Sequence, residues 1–340
     1  MNEGVGTTLD DQSSYGNDGT IYGATWSEDV YVPPVYGCTD PFADNYDSDA
    51  DTDDGSCTDY PDNGNYSLSF DGDDDHVSIA DNDQFHINTL TVSTWFKPVE
   101  YAYQVIAQKT YGSSYSWAFK WRVESENSFY FNIYDSNGSA HVVTFPQVGL
   151  NEWYHVSATY DGSVVRAYLN GEEVDSQDGS FLIRYDDSPV YIGYAGYGSE
   201  FFNGNIDNVE LRNTALSQEE IQESMFTDST GYQPDLVGHW KFNANDGSTL
   251  FDHSGNQNHG TINGATWDGE GFTRPSTSVT FAVNMRDYIE SEGDSLYDGV
   301  YIAGGNIGAE NPDDSLFMGH QMYDHDGNGI YDVTLDLERN

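Results

Sequence analysis

The sequence predicts an all-β protein that contains a β-sandwich. Aromatic residues make up 15% of the chain, among them 26 Tyr, and 35 Gly are spread along it. Tyr, Phe, Val, Ile and Thr suit the pleated surface of a strand, whereas Gly, Asn and Asp suit the turns that join strands. Between residues 65 and 217, alternating segments recur at roughly the 8–12-residue spacing that is typical of a sandwich.

The predicted strands of this region are Tyr66–Phe70, His76–Ala80, Leu90–Phe96, Trp117–Glu124, Phe129–Tyr134, His141–Phe145, Trp153–Tyr160, Val164–Leu169, Val190–Tyr194 and Ile206–Leu211. One helix is predicted over Gln218–Met225, where Ser217 and Glu220 have the spacing of a capping box. The strand Leu236–Phe242 follows. It alternates with one apolar face, so we expect it to join the same sandwich.

The charge excludes several classes of partner. The chain has 11 Lys and Arg against 58 Asp and Glu, a formal net charge of −47, and no basic residue precedes Lys97. Nucleic acid and anionic membranes attract basic surfaces, so neither is an expected partner. No apolar stretch approaches the roughly 18 residues that a membrane-spanning helix needs. Acidic β proteins with few Lys are typical of salty or calcium-containing extracellular settings, and solubility in brine alone would also explain the charge.

A long-period repeat organises the chain. Residues 8–26 read TLDDQSSYGNDGTIYGATW and residues 249–267 read TLFDHSGNQNHGTINGATW, at a constant offset of 241 residues. This period is too long for a solenoid, so it predicts an array of whole, similar modules. We expect residues 1–29 to be the tail of a preceding unit, 30–64 a linker around the acidic loop 38–57, 65–267 the main domain, 268–277 a second linker and 278–340 a partial second β-sandwich.

Several segments of the main domain resemble a known family. They are FDGDDDHVSI at 70–79, TLTVSTWFKP at 89–98, NEWYHVSATYDGSVVRAYLNGEEV at 151–174, FFNGNIDNVELRNTALSQEEI at 201–221 and GHWKFNANDGSTLFDHSGNQNHGTINGATW at 238–267. In this order they are similar to the LamG-like domains of the concanavalin A-like lectin/glucanase superfamily. The resemblance implies a jelly roll of two antiparallel sheets.

Two further resemblances concern the flanks. GCTDPFADNYDSDADTDDGSC at 37–57 resembles the acidic Cys-bounded repeat of large secreted bacterial surface proteins. Residues 278–340 resemble a truncated immunoglobulin-like starch-binding or type-E module. Together they imply an extracellular, cell-surface location. In that setting we expect Cys38 and Cys57 to form a disulfide, which stabilises a loop of this size by roughly 3 kcal/mol.

Calcium is the expected cofactor, at three acidic clusters. Asp324, Asp326 and Asn328, with Asp332, match the first half of an EF-type loop, although the bidentate Glu is missing; a solvated turn is the alternative. Asp71, Asp73 and Asp74, with Asp207, lie where the family resemblance implies a calcium at the rim, although Asp207 would equally anchor a loop by hydrogen bonds. The acids of the Cys-bounded loop form the third cluster, for which a charged spacer is the alternative.

Enzyme signatures are nearly absent from the sequence. There is no HExxH, GxSxG or Walker loop. Glu173–Asp178 approaches the ExDxxE of laminarinase-type glucanases, but it follows the Asn170-Gly171 turn and its acids do not lie on one face of a regular strand. We therefore predict that the chain is not an enzyme.

Candidate sugar-binding residues lie on one predicted strand and one loop. In Trp117–Glu124, Trp117 and the alternate residues after it are expected in the core, so Lys120 and Arg122 would line the exposed concave sheet and could meet carboxylated or sulfated glycans. Tyr194 and Tyr197 are expected to be exposed in the YIGYAGYGSEFF loop, where aromatic rings can stack on sugars.

The preferred interpretation is a non-catalytic extracellular carbohydrate-binding or adhesion module that calcium stabilises. The alternatives are a purely structural spacer of a repetitive adhesin and an accessory domain of a polysaccharide-degrading enzyme. An exposed aromatic platform on the jelly roll would favour binding, whereas a wholly polar face would favour the spacer.

Overall fold

The computed structural model describes residues 5–26, 31–111, 114–122, 128–185, 187–226, 233–269, 271–273, 277–284, 300–302, 320–322 and 330–337. Side chains are described within residues 5–26, 31–109, 116–120, 129–185, 187–226, 233–269 and 271–273. The chain divides into two compact units, Met1–Asp59 and Tyr60–Asn340.

The first unit contains two short strand pairs. Strands β1 (Thr8–Leu9) and β2 (Gly19–Thr20) pair antiparallel. Strand β3 (Tyr36–Gly37), which immediately precedes the acidic loop, pairs parallel with β4 (Thr52–Asp53) inside it. The disulfide between Cys38 and Cys57, whose Cα atoms lie 4.8 Å apart, closes this loop as predicted.

The second unit is almost entirely β. Its strands are β5 (Ser67–Asp71), β6 (His76–Ile79), β7 (Leu90–Pro98), β8 (Gln104–Tyr111), β9 (Ser114–Arg122), β10 (Ser128–Tyr134), β11 (Ala140–Phe145), β12 (Tyr154–Tyr160), β13 (Val164–Leu169), β14 (Glu172–Asp178), β15 (Val190–Ile192), β16 (Asn203–Arg212), β17 (Leu236–Trp240), β18 (Thr249–Leu250), β19 (Gly260–Asn263), β20 (Thr266–Asp268), β21 (Thr277–Asn284), β22 (Val300–Ile302), β23 (His320–Met322) and β24 (Ile330–Leu337). A 3₁₀ turn spans Asp83–Phe85, and the helix α1 spans Gln218–Ser224.

Two large antiparallel sheets form the sandwich. The first sheet has the order β11-β10-β9-β8-β15-β6-β19-β18, and the second has the order β14-β13-β12-β7-β16-β5-β20, with β17 added along β16. Hairpins of consecutive strands lie at one end of each sheet, and strands distant in sequence, such as β8 with β15 and β7 with β16, pair in its middle. The predicted all-β antiparallel sandwich is confirmed.

The core lies between the inner faces of the two sheets. Phe119, Phe129 and Phe131 of the first sheet and Phe96 and Val156 of the second are fully buried within it. Because successive side chains of a strand point to opposite faces, the residues between these positions form the outer faces. The alternation of the sequence therefore assigns the inner face correctly at Trp117 and Phe119, which are 2% and 0% exposed.

Local signals explain the turns and the helix. Asn170 and Gly171 both have positive φ, 50° and 79°, which is the two-residue hairpin turn that Asn-Gly favours, and they join β13 to β14. At α1 the Ser217 side chain accepts a hydrogen bond from the Glu220 N–H, and the Glu220 carboxylate accepts one from the Ser217 N–H. The predicted capping box is thus present.

The segment 249–268 closes one side of the sandwich. Strand β19 pairs with β6 of the first sheet, with Ile262 opposite Val77. Strand β20 pairs with β5 of the second sheet, with Trp267 opposite Leu68. One segment thus spans both sheets, and we call residues 249–268 the closing segment.

Some elements depart from the sequence prediction. Strand β8 was not predicted, because its polar Gln104, Gln108 and Lys109 interrupt the apolar alternation; all three are nonetheless 0–1% exposed. Strand β16 begins at Asn203, three residues before the predicted start. Residues 277–337 contain the pairs β21–β24 and β22–β23, and the predicted immunoglobulin-like module there stays a prediction.

The outer face of the second sheet is also covered. Trp95 stacks on Phe272, with ring centroids 3.4 Å apart, and His155 lies 5.2 Å from Trp95 and is only 3% exposed. Burial lowers the pKa of His155 from 6.5 to about 3. The folded protein therefore holds this imidazole neutral at any pH near physiological.

Truncation after residue 228 should sharply destabilise the sandwich. It removes β17, all of whose residues are buried, and the whole closing segment. Trp240 and Phe242 alone bury side chains worth roughly 1.5–3 kcal/mol each. Urea unfolding should show the loss, with a chain ending after residue 273 as the control; equal stability of the two chains would contradict the prediction.

His155 should make stability fall in mild acid. Below pH 6.5 the His155 imidazole of the unfolded chain is protonated, whereas burial keeps that of the folded chain neutral. The free energy of unfolding therefore falls as the pH drops from about 6.5 toward 3. At pH 5 this amounts to ~2 kcal/mol. The comparison is the free energy of urea unfolding at pH 7 and pH 5 for wild type and His155→Phe, which should lose less stability. The same loss in both proteins would refute this origin.

Candidate functional site

The candidate site lies on the outer face of the first sheet. Lys120 on β9 is opposite Tyr130 on β10, and Tyr191 on β15 is opposite Gln108 on β8 and Ser78 on β6. These residues alternate with core residues such as Phe119 and Ile192, so they all face away from the core. The loop 193–202 folds over this face: the Gln108 amide donates a hydrogen bond to the carbonyl of Ala195.

An aromatic cluster forms one half of this face. The rings of Tyr194 and Phe201 stack 4.3 Å apart and 7° from parallel. Tyr191 meets Tyr194 edge-on at 5.4 Å, and the His76 imidazole lies 5.3 Å from Tyr194. All four side chains are partly exposed. Burial raises the pKa of Tyr194, with smaller contributions from Tyr191 and Glu200. These rings present an apolar, partly solvated platform.

A buried ion pair forms the other half. The Lys120 Nζ donates to the Glu200 carboxylate at 3.0 Å and lies 5.7 Å and 5.8 Å from the ring centroids of Tyr103 and Tyr197. Lys120 is only 1% exposed. Its charge is balanced by Glu200, and the two tyrosine rings lie within the distance at which a cation interacts with an aromatic ring. We call the aromatic cluster and this ion pair, with Tyr103 and Tyr197, the aromatic face.

The structure brings three of the four predicted sugar-binding residues together and corrects their exposure. Lys120, Tyr194 and Tyr197 share the aromatic face, but Lys120 is buried rather than exposed, because the loop 193–202 covers it. Tyr194 and Tyr197 are partly rather than fully exposed. Arg122 ends β9, and its side chain lies outside the described residues.

Sequence reasoning missed other members of this face, namely His76, Tyr103, Tyr191, Glu200 and Phe201. Tyr191 was detectable, since it alternates with the buried Val190 and Ile192. Phe201 meets Tyr194 through a bridge within the loop itself, whereas His76 reaches the cluster only because β6 pairs with β15, a strand far from it in the sequence.

One acidic cluster has the geometry of a cation site. Asp71, Asp74 and Asp75 can each place one carboxylate oxygen within 4.8 Å of the others. Burial raises the pKa of Asp75, a hydrogen bond from the Asp71 N–H opposes this, and the charges of Asp71 and Asp74 raise it further. An all-oxygen donor set suits Ca²⁺, and a bound cation would relieve this repulsion.

Of the residues predicted together with Asp71, Asp74 belongs to this converging group, whereas Asp73 and Asp207 do not. Asp73 donates its backbone N–H to the Asp71 carboxylate at 2.9 Å but is not one of the three converging acids. The Asp207 carboxylate accepts the N–H of Phe272 at 2.8 Å, beside Trp95 on the second sheet. Asp207 thus anchors a loop, the alternative that the sequence left open.

A second converging group is less suited to calcium. Asp81, His86 and Asp187 also converge within 4.8 Å. The Asp81 carboxylate, however, already pairs with the Lys109 ammonium, whose side chain is 0% exposed, and lies 3.2 Å from the His86 imidazole. The lysine supplies the positive charge that a metal would bring.

The remaining predicted calcium ligands lie in two regions, the EF-type loop and the Cys-bounded loop. Asp324, Asp326 and Asn328 lie outside the described residues, and Asp332 falls in β24 opposite Ala282. In the Cys-bounded loop, carboxylates hydrogen-bond the backbone instead: the Asp47 carboxylate accepts the Asp49 N–H. Among the described residues, three acidic or histidine side chains converge at the two groups above and not in this loop.

The acids of the Glu173–Asp178 segment lie at the edge of the second sheet, where they hold strands together. A bulge puts Glu173 opposite Tyr168 and Asp175 opposite Ala167, so the two acids lie on opposite faces of β14. The Asp175 carboxylate accepts both the N–H and the hydroxyl of Thr144 on β11, at 2.8 and 2.9 Å. These bonds join the edges of the two sheets, whereas paired catalytic carboxylates must face one cleft.

Comparison with known proteins identifies the type of sandwich. Residues 71–222 match the model of the family Laminin_G_3, described as the concanavalin A-like lectin/glucanases superfamily. The match supports a domain of this superfamily within the chain. No curated protein matches the sequence.

Solved structures are similar to this chain at low sequence identity. One is a Bacteroides ovatus protein described as a candidate carbohydrate-binding protein: 20% identity, TM-score 0.50, covering 62% of this chain and 61% of that chain. This chain thus spans about three fifths of that protein's length. Two others are a pentraxin of Limulus polyphemus (18%, TM-score 0.39, 47% and 81%) and domain 4 of an extracellular GH43 arabinanase of Geobacillus stearothermophilus in complex with arabinotriose (17%, TM-score 0.37, 46% and 75%).

Within the described part of the chain, no helix has the length and apolar character needed to cross a membrane.

We propose that Asp71, Asp74 and Asp75 bind calcium and that calcium raises the melting temperature relative to EDTA at equal ionic strength. An ion that binds only the folded state stabilises it by ~2.7 kcal/mol at one hundred times its Kd. Asp75→Asn should remove the response. Asp187→Asn, in the other converging group, should keep it. Identical wild-type melting curves in calcium and in EDTA would refute the proposal.

Proposed function

We propose that the jelly roll is a non-catalytic carbohydrate-binding module of an extracellular surface protein, and that the aromatic face binds the glycan. The observation that carries this proposal is the platform of Tyr191, Tyr194 and Phe201 on the outer face of the first sheet. Partly exposed rings held in fixed positions can stack on the apolar faces of sugar rings at little entropic cost. A structural spacer has no need of such a platform.

The rings of the platform are held in fixed positions, which favours a role in ligand binding. Tyr194 is held between Phe201 on one side and the edge of Tyr191 on another, and the Tyr194–Phe201 bridge fixes the loop that carries it. The fold that the chain shares with the Bacteroides ovatus protein described as a candidate carbohydrate binder is consistent with this function.

The electrostatics favour a neutral glycan. We expected Lys120 to attract carboxylated or sulfated sugars, but the Glu200 carboxylate balances its charge at 3.0 Å. The chain has a net charge of −47, which would repel an anionic polysaccharide. The glycan should therefore be held by stacking and hydroxyl hydrogen bonds, with little dependence of affinity on salt.

We also propose that the chain does not hydrolyse the glycan that it binds. Asp175 is committed to Thr144 across the sheet edges, and Glu173 faces the other way, 3.8 Å from the Arg166 guanidinium. These two acids, the nearest match to a glucanase motif, therefore share no cleft.

A neutral-glycan array probed with the full chain should give binding that Tyr191→Ala weakens about tenfold, or ~1.4 kcal/mol, because a ring of the platform is lost. Tyr31→Ala, which removes an 85% exposed ring from the other unit, is the matched control and should bind like wild type. The hits should release no reducing sugar on incubation with the protein.

Three results would contradict the proposal. Binding that is unaffected by Tyr197→Ala and Tyr191→Ala together would place the glycan elsewhere. Failure to bind any glycan of the array would favour the spacer. Release of reducing sugar that Glu173→Gln abolishes would make the chain a hydrolase.

A further inference from the structure

The two copies of the repeat differ in a pattern that follows burial. The buried residues of the C-terminal copy are Leu250, Asp252, Ser254, Asn258, Gly260, Ile262 and Ala265. The N-terminal copy has the same residue at every one of these positions: Leu9, Asp11, Ser13, Asn17, Gly19, Ile21 and Ala24. The substitutions between the copies, such as Asp10 for Phe251 and Tyr22 for Asn263, fall on positions that are not buried.

The two copies also form the same internal hydrogen bonds. The Asp252 carboxylate accepts the N–H and hydroxyl of Ser254 and the N–H of Asn258, at 2.8–2.9 Å. The Asp11 carboxylate accepts the corresponding three groups, the N–H and hydroxyl of Ser13 and the N–H of Asn17, all at 2.8 Å. The N-terminal loop is therefore folded as the C-terminal one is.

The ends of the two loops are closed alike. The Trp267 indole donates to the carbonyl of Gly247 at 3.1 Å, and the Trp26 indole donates to that of Gly6 at 2.9 Å. Strand β1 pairs with β2 in the register in which β18 pairs with β19.

The two copies differ in the strands that they contact outside their own segment. In the C-terminal copy, β19 pairs with β6, and Asp252 accepts a further hydrogen bond from the His239 N–H of β17. The Asn258 side chain donates to the carbonyl of Val237. In the N-terminal copy, β1 and β2 form a two-stranded sheet by themselves, and Leu9, Ile21 and the other counterparts of buried residues are partly or fully exposed.

Gly19 gives the clearest indication that residues 5–26 pair with a further strand. A Cβ added at Gly260 would lie 2.6 Å from Val77 Cγ1 on β6, so the seated copy requires glycine there. A Cβ added at Gly19 would meet only Leu9, at an ordinary 3.6 Å. Nothing within its own segment requires glycine at residue 19, but a neighbouring strand like β6 would.

We propose that residues 5–26 are the closing segment of a second jelly roll of the same kind, and that they pair with its counterparts of β5, β6 and β17. The segment is a preformed interaction surface, and its partner is an open jelly-roll edge with small and apolar positions that match Leu9, Gly19 and Ile21. In an array of such modules, each jelly roll would be sealed by a closing segment of this kind, as residues 249–268 seal the jelly roll of this chain.

Opening the edge of this chain's own jelly roll provides the test. Gly260→Val in the full chain should unseat the closing segment through the clash with Val77, leaving β6 and β5 open. Residues 5–26 of another copy should then fill the edge, so light scattering should report at least a doubling of the molar mass. Gly19→Val added to Gly260→Val should keep the chain monomeric, and Gly19→Val alone should behave as wild type.

A peptide provides an independent readout. A synthetic 5–26 peptide should dissociate the Gly260→Val assembly and raise the melting temperature of the Gly19→Val, Gly260→Val chain, whereas the same peptide with Gly19→Val should do neither. The proposal is overturned if the Gly260→Val chain stays monomeric, if its association survives Gly19→Val, or if the unmodified peptide leaves the melting temperature unchanged.

Discussion

The carboxylate of Asp252 is fully buried and accepts hydrogen bonds from the N–H groups of His239, Ser254 and Asn258 and from the Ser254 hydroxyl. Burial raises the pKa of this carboxyl, and the hydrogen bonds partly offset that rise. A buried carboxylate with one partner missing would cost more than any single bond supplies, so the loop keeps one conformation. That conformation places β19 and β20 where they can reach both sheets.

A two-layer sandwich has two open sides as well as two faces, and this chain seals each side with different chemistry. The closing segment adds β18 and β19 to the first sheet and β20 to the second on one side, with Ile262 and Leu250 against the core. On the other side, the Asp175 and Gln177 side chains of β14 accept backbone N–H groups of β11, at 2.8 and 2.7 Å. Both solutions satisfy exposed strand edges that would otherwise invite pairing with another chain.

The candidate site depends on this closure. Strand β6, which carries His76 of the aromatic face, pairs with β15 on one side and with β19 of the closing segment on the other. The aromatic face and the closing segment therefore meet at β6. The Lys109–Asp81 pair and the Lys120–Glu200 pair show how two buried lysines are accommodated: each ammonium has a carboxylate partner and lies near an aromatic ring, of Phe85 or of Tyr103. On the aromatic face the charge of Lys120 is already balanced by Glu200, which is why we propose a neutral glycan as the ligand.

The sequence by itself determined the fold class, the inner face of β9, the Asn170-Gly171 hairpin and the cap of α1, because each depends on residues that are close along the chain. Alternation, turn propensity and capping are local effects. The similarity of the two repeat copies follows from comparing residues 8–26 with 249–267 in the sequence. The same local signals indicated Tyr194 and Tyr197 as candidates.

Only the tertiary structure decided which of these residues meet. Lys120 was expected in solvent, but a loop from eighty residues away brings Glu200 over it. Asp207 and Asp71 both lie beside β16 or on it, yet Asp71 converges with Asp74 and Asp75 while Asp207 holds Phe272. Strand β8 was missed because its buried Gln108 and Lys109 find partners across the sheet. In each case burial and pairing are set by strands distant in sequence, and a side chain's neighbours cannot be read from its own segment.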